Sequence, residues 1–215
     1  MSGRVLLAGA TGLVGSALLR QLLADPAGPE VVAFGRRAPA LASPRLRFVA
    51  TDFASLDGAP PVAADAAYCA LGTTIRSAGS QAAFAAVDLG AVAAFAAFAR
   101  RSGARRFMLV SALGADPASR IFYSRIKGEA ERAVAALGFD AVHVAQPSLL
   151  LGERAERRPV EWLGKQLARL LRPLLLGPLR PYRAVPADEV AATLIAAAQS
   201  AATGVVRHRF GGAAA

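Results

Sequence analysis

Short apolar runs alternate with longer helical patterns along most of this chain, and that alternation constrains the fold more than any other feature. The runs lack regular polar positions, as is typical of strands that are covered on both faces. We therefore predict an α/β fold, a doubly wound parallel sheet with helices on both faces and ligands at the carboxyl ends of the strands. Predicted strands cover residues 4–10, 30–35, 46–52, 66–72, 105–114 and 141–148, with a closing strand in 204–212, and predicted helices cover 12–24, 80–103, 121–137 and 187–200.

The sequence GATGLVG joins the first predicted strand to the first predicted helix. Gly9 allows a tight turn, Gly12 lets the backbone approach a pyrophosphate, and Gly15 lets the helix pack closely on the strand. The helix N-terminus offers N–H groups and a positive dipole to the anion. The turn predicts a dinucleotide site, with a glycine-rich turn that holds no ligand as the alternative. The residues predicted to line it are Gly9, Ala10, Thr11, Gly12, Leu13, Val14 and Gly15.

The second predicted strand ends in Gly35, Arg36 and Arg37, where NAD-binding folds usually carry an acidic residue for the ribose 2′-OH. Two guanidinium groups at this place suit a 2′-phosphate, so we predict NADP(H) in preference to NAD(H). The alternative is that both arginines are solvated loop charges. After the third strand, Asp52 is predicted to accept from the adenine amino group or to cap a helix, and Phe53 to flank the adenine ring.

Tyr123 and Lys127 are four residues apart in a predicted helix, so they share one helix face. A phenol is a poor acid or base at neutral pH, and a neighbouring ammonium favours its ionised form. Lys127 can also donate to the ribose of a nicotinamide. Ser111, near the end of the fifth strand, supplies a hydroxyl that would hold a substrate carbonyl. We predict a catalytic site of Ser111, Tyr123 and Lys127; the alternative for Tyr123 is a half-buried helix aromatic.

The ordered motifs GATGLVG, GRR, LGTT, AGS, VD, LVSALGA, FYSRIKGEAE and PSLLLGER resemble the short-chain dehydrogenase/reductase superfamily. Within it, the chain is similar to the atypical branch of Tat-interacting-protein-like NAD(P)-binding oxidoreductases. The similarity covers residues 4–155 and continues more weakly to about residue 200. It implies a Rossmann fold, NADP(H) binding and the same Ser–Tyr–Lys site. It further implies that the cofactor is lined by Leu71, Gly72 and Thr73 and approached at the nicotinamide by Pro147 and Ser148.

The chain departs from that family pattern at two positions. Relatives often carry paired serines where this chain has Ser111 and Ala112, and two alternatives follow: the catalytic serine is the first of the pair, which this chain keeps as Ser111, or the second, whose hydroxyl Ala112 removes. Relatives also commonly have an arginine before the Pro-Ser pair, where this chain has Gln146.

The leading hypothesis is an NADP(H)-dependent oxidoreductase that transfers hydride between nicotinamide and a carbonyl or alcohol carbon. The alternative is a non-catalytic NAD(P)H-binding sensor or scaffold that regulates a protein partner. We expect one NAD(P)-binding domain over residues 1–215, with a small C-terminal substrate lobe at about 152–186. The leucines and Trp162 of this lobe indicate an apolar carbonyl substrate. The oligomeric state is predicted to be monomer or homodimer.

The formal net charge is +10, and of 25 basic residues 23 are arginine. A basic balance can mark a nucleic-acid or phosphate partner, but no long basic run or nucleic-acid motif is present, so we expect no nucleic acid. The Leu- and Arg-rich residues 167–182 would suit an anionic membrane surface, although their prolines argue against one regular helix. A wall of the substrate crevice or a dimer contact is the plainer interpretation of this segment.

The one cysteine, Cys69, lies in an apolar run and cannot by itself form a disulfide framework or a metal cluster. We expect a buried thiol, no metal and a reducing, cytoplasmic location. The first apolar run is too short and too interrupted by glycine for a signal peptide. We also expect no transmembrane segment, on the interpretation that no apolar run reaches the length of a membrane span.

Overall fold

The structure is a computed structural model that describes residues 3–148, 150–151 and 185–210. Nine strands are found in this part: β1 Arg4–Ala8, β2 Glu30–Gly35, β3 Leu46–Ala50, β4 Ala66–Cys69, β5 Arg106–Val110, β6 Ala141–Gln146, β7 Leu150–Leu151, β8 Val185–Pro186 and β9 Gly204–Arg209. Seven of them form one parallel sheet in the order β3-β2-β1-β4-β5-β6-β9, and β7 pairs with β8. The order reverses between β1 and β4, which makes this the crevice where doubly wound folds bind ligands.

Helices cover both faces of the sheet, as predicted. They are α1 Leu13–Ala24, α2 Ile75–Ala78, α3 Gln81–Ala85, α4 Val92–Arg101, α5 Phe122–Ala135 and α6 Ala187–Ala197, with a 3₁₀ turn at Ala54–Leu56 and a π-helical segment at Ala86–Ala91. One hydrophobic cluster joins α1 and α6 to one face, and a second joins α4 and α5 to the other. Each face of the sheet therefore has its own core.

The first strand shows why the sheet needs two cores. Val5 and Leu7 belong to the cluster under α1 and α6, whereas Leu6 and Ala8 belong to the cluster under α4 and α5. All four side chains are fully buried. A strand that is buried on both faces has no polar position to alternate with, which explains the continuous apolar runs of the sequence.

The long helix predicted over 80–103 is present as one helical run from α3 to α4, but its middle is π-helical. Ser80 caps it as expected, because the Ser80 Oγ accepts from the Ala83 N–H at 3.1 Å. The run ends at Arg101, before Gly103, whose φ is +89°. The π segment was not predicted. A π turn takes one residue more than an α turn, and such segments are frequent at functional sites.

The same run corrects the expectation that no apolar stretch reaches the length of a membrane span. Residues Gln81–Arg101 form 21 helical residues that are long and apolar enough for one. A single such helix is weak evidence, because core helices of globular proteins pass the same test. Here Phe84, Phe95 and Phe98 of the run are buried.

The C-terminal part is described only from residue 185. Most of the predicted substrate lobe at 152–186, with Trp162 and the segment 167–182, lies outside the described residues. Helix α6 has Asp188 in its first turn, and the Asp188 carboxylate accepts from Arg20 of α1 at 2.9 Å.

Cys69 is buried as predicted, and burial raises the pKa of its thiol to about 12.

Candidate functional site

The turn between β1 and α1 is shaped by two glycines. Gly9 has φ +84°, and a Cβ atom there would lie 2.5 Å from the Ala70 carbonyl oxygen after β4. A Cβ atom on Gly15 would overlap the Gly9 carbonyl oxygen, which is backbone and cannot swing away. Both positions therefore require glycine, one for the turn and one for close packing of the helix on it.

The N-terminus of α1 has no side-chain cap. Its N-cap is Gly12, which has no side chain to accept from the first-turn N–H groups. The Gly12 N–H itself donates to the Gly9 carbonyl at 2.9 Å. Uncapped N–H groups at a helix N-terminus attract an anion. Of the other residues predicted here, Ala10 and Val14 are buried, Leu13 is half-buried and Thr11 is exposed.

Arg36 and Arg37 follow β2 at the same edge of the sheet. Both side chains are exposed. Neither forms a hydrogen bond or an ion pair with another residue in the described ranges. Their guanidinium groups are therefore available to a ligand or to solvent, and the choice between these two predictions stays open.

Asp52 and Phe53 follow β3, and here the structure supports the plainer alternative. The Asp52 Oδ1 accepts from the Ser55 N–H and the Ser55 hydroxyl, each at 3.2 Å, so Asp52 caps the 3₁₀ turn. These hydrogen bonds lower the pKa of the Asp52 carboxyl group, and the one from the Ser55 backbone has the larger effect.

The Phe53 ring is buried and packs edge-on against Phe95, with ring centroids 6.2 Å apart. This burial departs from the expectation that the ring flanks an adenine.

Tyr123 lies in the first turn of α5 with its side chain partly exposed, at 37%. Its ring packs against Phe84 of α3, with ring centroids 5.5 Å apart. The phenol hydroxyl makes no hydrogen bond with the residues that the structure describes. Tyr123 is therefore not a core residue, and its hydroxyl is free to meet a ligand.

Lys127 is one turn further along α5 and is almost entirely buried, at 7% exposure. Its Nζ lies 2.6 Å from the Oδ1 of Asp88, in the π segment, and Asp88 is fully buried. The Asp88 Oδ2 accepts from the Thr73 N–H at 2.9 Å. Asp88 thus fixes both the ammonium and the loop that follows β4. An ammonium has three protons, so Lys127 keeps donors for a further partner.

The loops after β4 and β6 carry the remaining predicted cofactor residues. At Gly72, a Cβ atom would lie 3.5 Å from the Lys127 Nζ and 3.4 Å from the Asp88 Oδ1. These are ordinary van der Waals distances, so Gly72 lies directly against the ion pair. Leu71 is half-buried. Pro147 is buried, and its carbonyl accepts from the Leu113 N–H at 2.9 Å, which ties the loop after β6 to the loop after β5. Ser148 follows it and is half-buried.

Ser111 is directed to a different partner from the one predicted. Its hydroxyl donates to the Oε1 of Glu131 on α5 at 2.6 Å, and both residues are buried. Glu131 also accepts from Gln146 of β6 at 2.8 Å and from Arg207 of β9 at 3.1 Å. The structure therefore brings Tyr123 and Lys127 together on α5 and places the Ser111 proton in a separate buried cluster.

Two acidic residues of this region were not among the predicted site residues. Asp88 carried a signal, because it is a lone charge inside the apolar run AAFAAVDLGAVAAF. A charge that falls on the core side of a helix needs a partner. Glu131 carried a weaker one, since it continues the four-residue spacing of Tyr123 and Lys127. Its partners come from the loop after β5 and from β6 and β9, and no local pattern links them.

The comparisons with known proteins concern the family and the fold of the chain. A family model described as NAD(P)H-binding matches residues 9–201. The protein HTATIP2 of Rattus norvegicus is 36% identical over 167 residues, covering 75% of this chain and 69% of that protein. The protein fmp52 of Aspergillus niger is 34% identical over 210 residues, covering 94% of this chain and 89% of that protein.

Among solved structures, MoeE5 in complex with UDP-glucose and NAD superposes with a TM-score of 0.73 at 20% identity, over 97% of this chain and 76% of that chain. At this identity the likeness concerns the fold alone, and it agrees with the Rossmann-type sheet described above.

The relatives also correct one expectation. The Aspergillus niger protein is named mitochondrial, as are other fungal fmp52 proteins that match this chain. The predicted cytoplasmic location is therefore contradicted. It rested on a single cysteine in an apolar run and on the interpretation of the first apolar run as a strand, and neither feature distinguishes between compartments inside a cell.

The family model matches more than half of the chain, and both relatives are at least 34% identical to it over more than two thirds of their own length. This chain belongs to the NAD(P)H-binding family, as an atypical member of the short-chain dehydrogenase/reductase type related to HTATIP2 and fmp52.

Proposed function

We propose that this protein is an NADP(H)-dependent oxidoreductase that acts on a carbonyl or alcohol substrate, with Tyr123 and Lys127 in its site. The observation that supports this best is the position of the Lys127 ammonium, which lies under Gly72 with a fully buried acidic partner. Tyr123 is one turn away on the same helix face, with a free and accessible hydroxyl.

The residues present fit a nicotinamide dinucleotide. The open N-terminus of α1 at Gly12 would hold the diphosphate. Lys127 would donate to the ribose next to the nicotinamide, using protons that Asp88 does not take. The loops Leu71–Thr73 and Pro147–Ser148 would lie along the cofactor. When bound, the nicotinamide donates or accepts the hydride.

The chemistry proposed for the chain itself is a proton transfer at the Tyr123 hydroxyl. In reduction, the carbonyl carbon gains a hydride and the carbonyl oxygen takes the Tyr123 proton, so that an alcohol and the oxidised cofactor result. Lys127 stabilises the phenolate that remains, because a nearby positive charge favours the ionised phenol. In oxidation of an alcohol, the same phenolate accepts the proton.

Asp88 has a defined part in this proposal. Its carboxylate holds the Lys127 ammonium at 2.6 Å and the Thr73 N–H at 2.9 Å. It thereby sets the distance between the helix that carries the proton donor and the loop that would line the cofactor. We regard Asp88 as a positioning residue, since it is buried and does not reach a ligand.

NADP(H) is proposed in preference to NAD(H) because of Arg36 and Arg37. These two exposed guanidinium groups stand at the end of β2, where a 2′-phosphate would lie. An apolar substrate is proposed because two large exposed aliphatic residues lie close in sequence to the site residues. Ile75 lies two residues after Thr73, and Ile121 lies two residues before Tyr123. We also keep the proposal of one NAD(P)-binding domain over residues 1–215. The alternative of a non-catalytic sensor is not favoured by the comparisons.

The test begins with the purified protein, NADPH and a panel of small ketones, quinones and aldehydes. NADPH should raise Tm, because a specific ligand stabilises the folded state. With a substrate found, Tyr123→Phe should lower kcat by about 10²–10⁴-fold and leave the Kd for NADPH nearly unchanged.

Tyr68→Phe is the matched control, because it deletes a buried phenol hydroxyl that has no hydrogen-bond partner among the described residues and lies in the core of β4. It should retain full activity. If Tyr123→Phe turns over as fast as this control, Tyr123 is not the proton donor. If NADPH leaves Tm unchanged, the cofactor proposal is wrong.

A further inference from the structure

Glu131 is a buried carboxylate that the proposed proton chemistry does not use. It lies on α5 four residues after Lys127 and eight after Tyr123, and its exposure is 4%. Both of its oxygens are occupied. The Oε1 accepts from the Ser111 hydroxyl and from the Gln146 amide, and the Oε2 lies 3.1 Å from the Arg207 Nε. One carboxylate thus joins α5 to the loop after β5 and to the strands β6 and β9.

The hydrogen bond from Ser111 is the decisive contact. A serine hydroxyl has one proton to donate. Here that proton goes to Glu131 over 2.6 Å, within the range of hydrogen bonds between a hydroxyl and a carboxylate. A serine that holds a substrate carbonyl must donate to its oxygen. To do so, Ser111 would have to break its hydrogen bond to Glu131. The buried carboxylate would then lose one of its hydrogen-bond donors, which costs free energy.

The geometry therefore points to a different division of labour, and we infer that Glu131 is a positioning residue of the site and that Ser111 serves Glu131 and not the substrate carbonyl. This inference rests on the proposed function of Tyr123 and Lys127. Helix α5 is held by two buried charges one turn apart: Lys127 is bound by Asp88 and Glu131 by the strand ends. Together they fix the rotation of α5 about its axis, and hence the direction of the Tyr123 hydroxyl.

The experiment compares Ser111→Ala and Glu131→Gln with Glu129→Gln. Glu129 is on the same helix and carries the same charge, but it makes no hydrogen bond or ion pair with the described residues. Three quantities are measured for each variant: Tm, the Kd for NADPH from cofactor fluorescence, and kcat with its pH profile on the substrate found above.

Ser111→Ala should lower Tm by about 2–4 °C, as expected for a buried acceptor that loses one donor. Its kcat should fall by less than about tenfold, with an unchanged pH profile, since Tyr123 still supplies the proton. Glu131→Gln should lower Tm further and should raise the Kd for NADPH several-fold, because α5 is no longer fixed at that end. Glu129→Gln should match the wild type in all three.

The inference is overturned if Ser111→Ala keeps the wild-type Tm and loses kcat by about 10²-fold or more, the effect of deleting a donor to the reacting oxygen. It is also overturned if Glu131→Gln equals Glu129→Gln in Tm and in the Kd for NADPH. If Glu131→Gln does not fold, Ser111→Ala decides, because it removes one buried oxygen only. Absence of NADPH binding or turnover in the wild type instead counts against the proposed function, so the two failures are distinguishable.

Discussion

The turn between β1 and α1 and the helix α5 both contribute to the candidate site, but the turn contributes backbone groups and the helix contributes side chains. The turn is made of backbone: Gly9 and Gly15 are needed for what their missing side chains allow. Helix α5 contributes side chains. Of its two buried charges, Lys127 pairs with Asp88 in the π segment and Glu131 pairs with Arg207 in β9. A backbone site is specified within a few consecutive residues, whereas the α5 site exists only after the chain has folded.

This difference predicts how each region fails. A change in the turn should be a local steric event that abolishes cofactor binding. A change in α5 should expose the cost of an unpaired buried charge, which depends on a distant partner. Substitutions in each region test that contrast, beginning with the largest expected effect.

The largest effect is expected from Lys127→Met, which leaves the fully buried Asp88 carboxylate without its cation. Breaking a buried ion pair from one side costs about 3–5 kcal/mol of the free energy of unfolding. The double variant Lys127→Met, Asp88→Asn should recover much of this loss, because the introduced amide is neutral and its oxygen still accepts from the Thr73 N–H. Urea unfolding of the two single variants and the double variant measures the coupling. Simple addition of the two losses would contradict a direct charge pair.

The second-largest effect is expected from a substitution in the turn between β1 and α1, and its cause is steric. In Gly15→Ala, the new methyl group meets the Gly9 carbonyl oxygen, and relief requires a backbone shift that costs about 1–3 kcal/mol. NADPH binding should be lost at the same time. Gly58→Ala is the control, because nothing lies within 4 Å of a Cβ atom there. If Gly15→Ala binds NADPH as well as Gly58→Ala does, the turn is not the phosphate site.

The double variant Arg36→Ala, Arg37→Ala sharpens the comparison, because these side chains have neither a steric role nor a buried partner among the described residues. It should weaken NADPH binding by about 10–100-fold, the loss of hydrogen bonds to a charged group, and should leave NADH binding within a few-fold. Arg47→Ala removes an exposed arginine on β3 and serves as the control. Equal losses for NADPH and NADH would show that the pair does not read the 2′-phosphate.

The smallest effect concerns a partly buried histidine pair between β6 and β9. The His143 Nδ1 lies 3.0 Å from the His208 Nε2, between β6 and β9. Burial lowers the pKa of both imidazoles, and the charges of His208 and Arg106 lower that of His143 further. The unfolded chain then binds protons before the folded one does. Stability should be complete above about pH 6.5 and should decline as the pH falls below that value.

Denaturation at a series of pH values between about 5 and 7.5 measures this. The double variant His143→Gln, His208→Gln should show a flatter profile in that window. An identical slope for the variant and the wild type would exclude the pair as its source.

The same contrast explains what could be read from the sequence. The residues Glu30–Gly35 of β2 coincide with their prediction, and the turn was predicted with the steric roles of Gly9 and Gly15, because both are local patterns. Ser80 was a correct N-cap for the same reason. The π segment was missed because a regular apolar period continues across it, and only Asp88 marks the added residue.

The buried cluster around Glu131 could not be predicted in this way. Its partners Ser111, Gln146 and Arg207 are 20, 15 and 76 residues away along the chain. Three strands must be in register before their ends meet one carboxylate. The burial of Phe53 was not predicted for a related reason: the ring follows a strand end, as an adenine partner would, but it packs against Phe95 in the core.

A crystal structure of the NADP⁺ complex tests the central claim most directly. We expect the diphosphate at the Gly12 end of α1 and the Lys127 ammonium about 2.7–3.2 Å from a hydroxyl of the nicotinamide ribose, with the Tyr123 hydroxyl facing the nicotinamide. A complex in which Lys127 contacts only Asp88, and the nicotinamide lies on the far side of α5 from Tyr123, would contradict it.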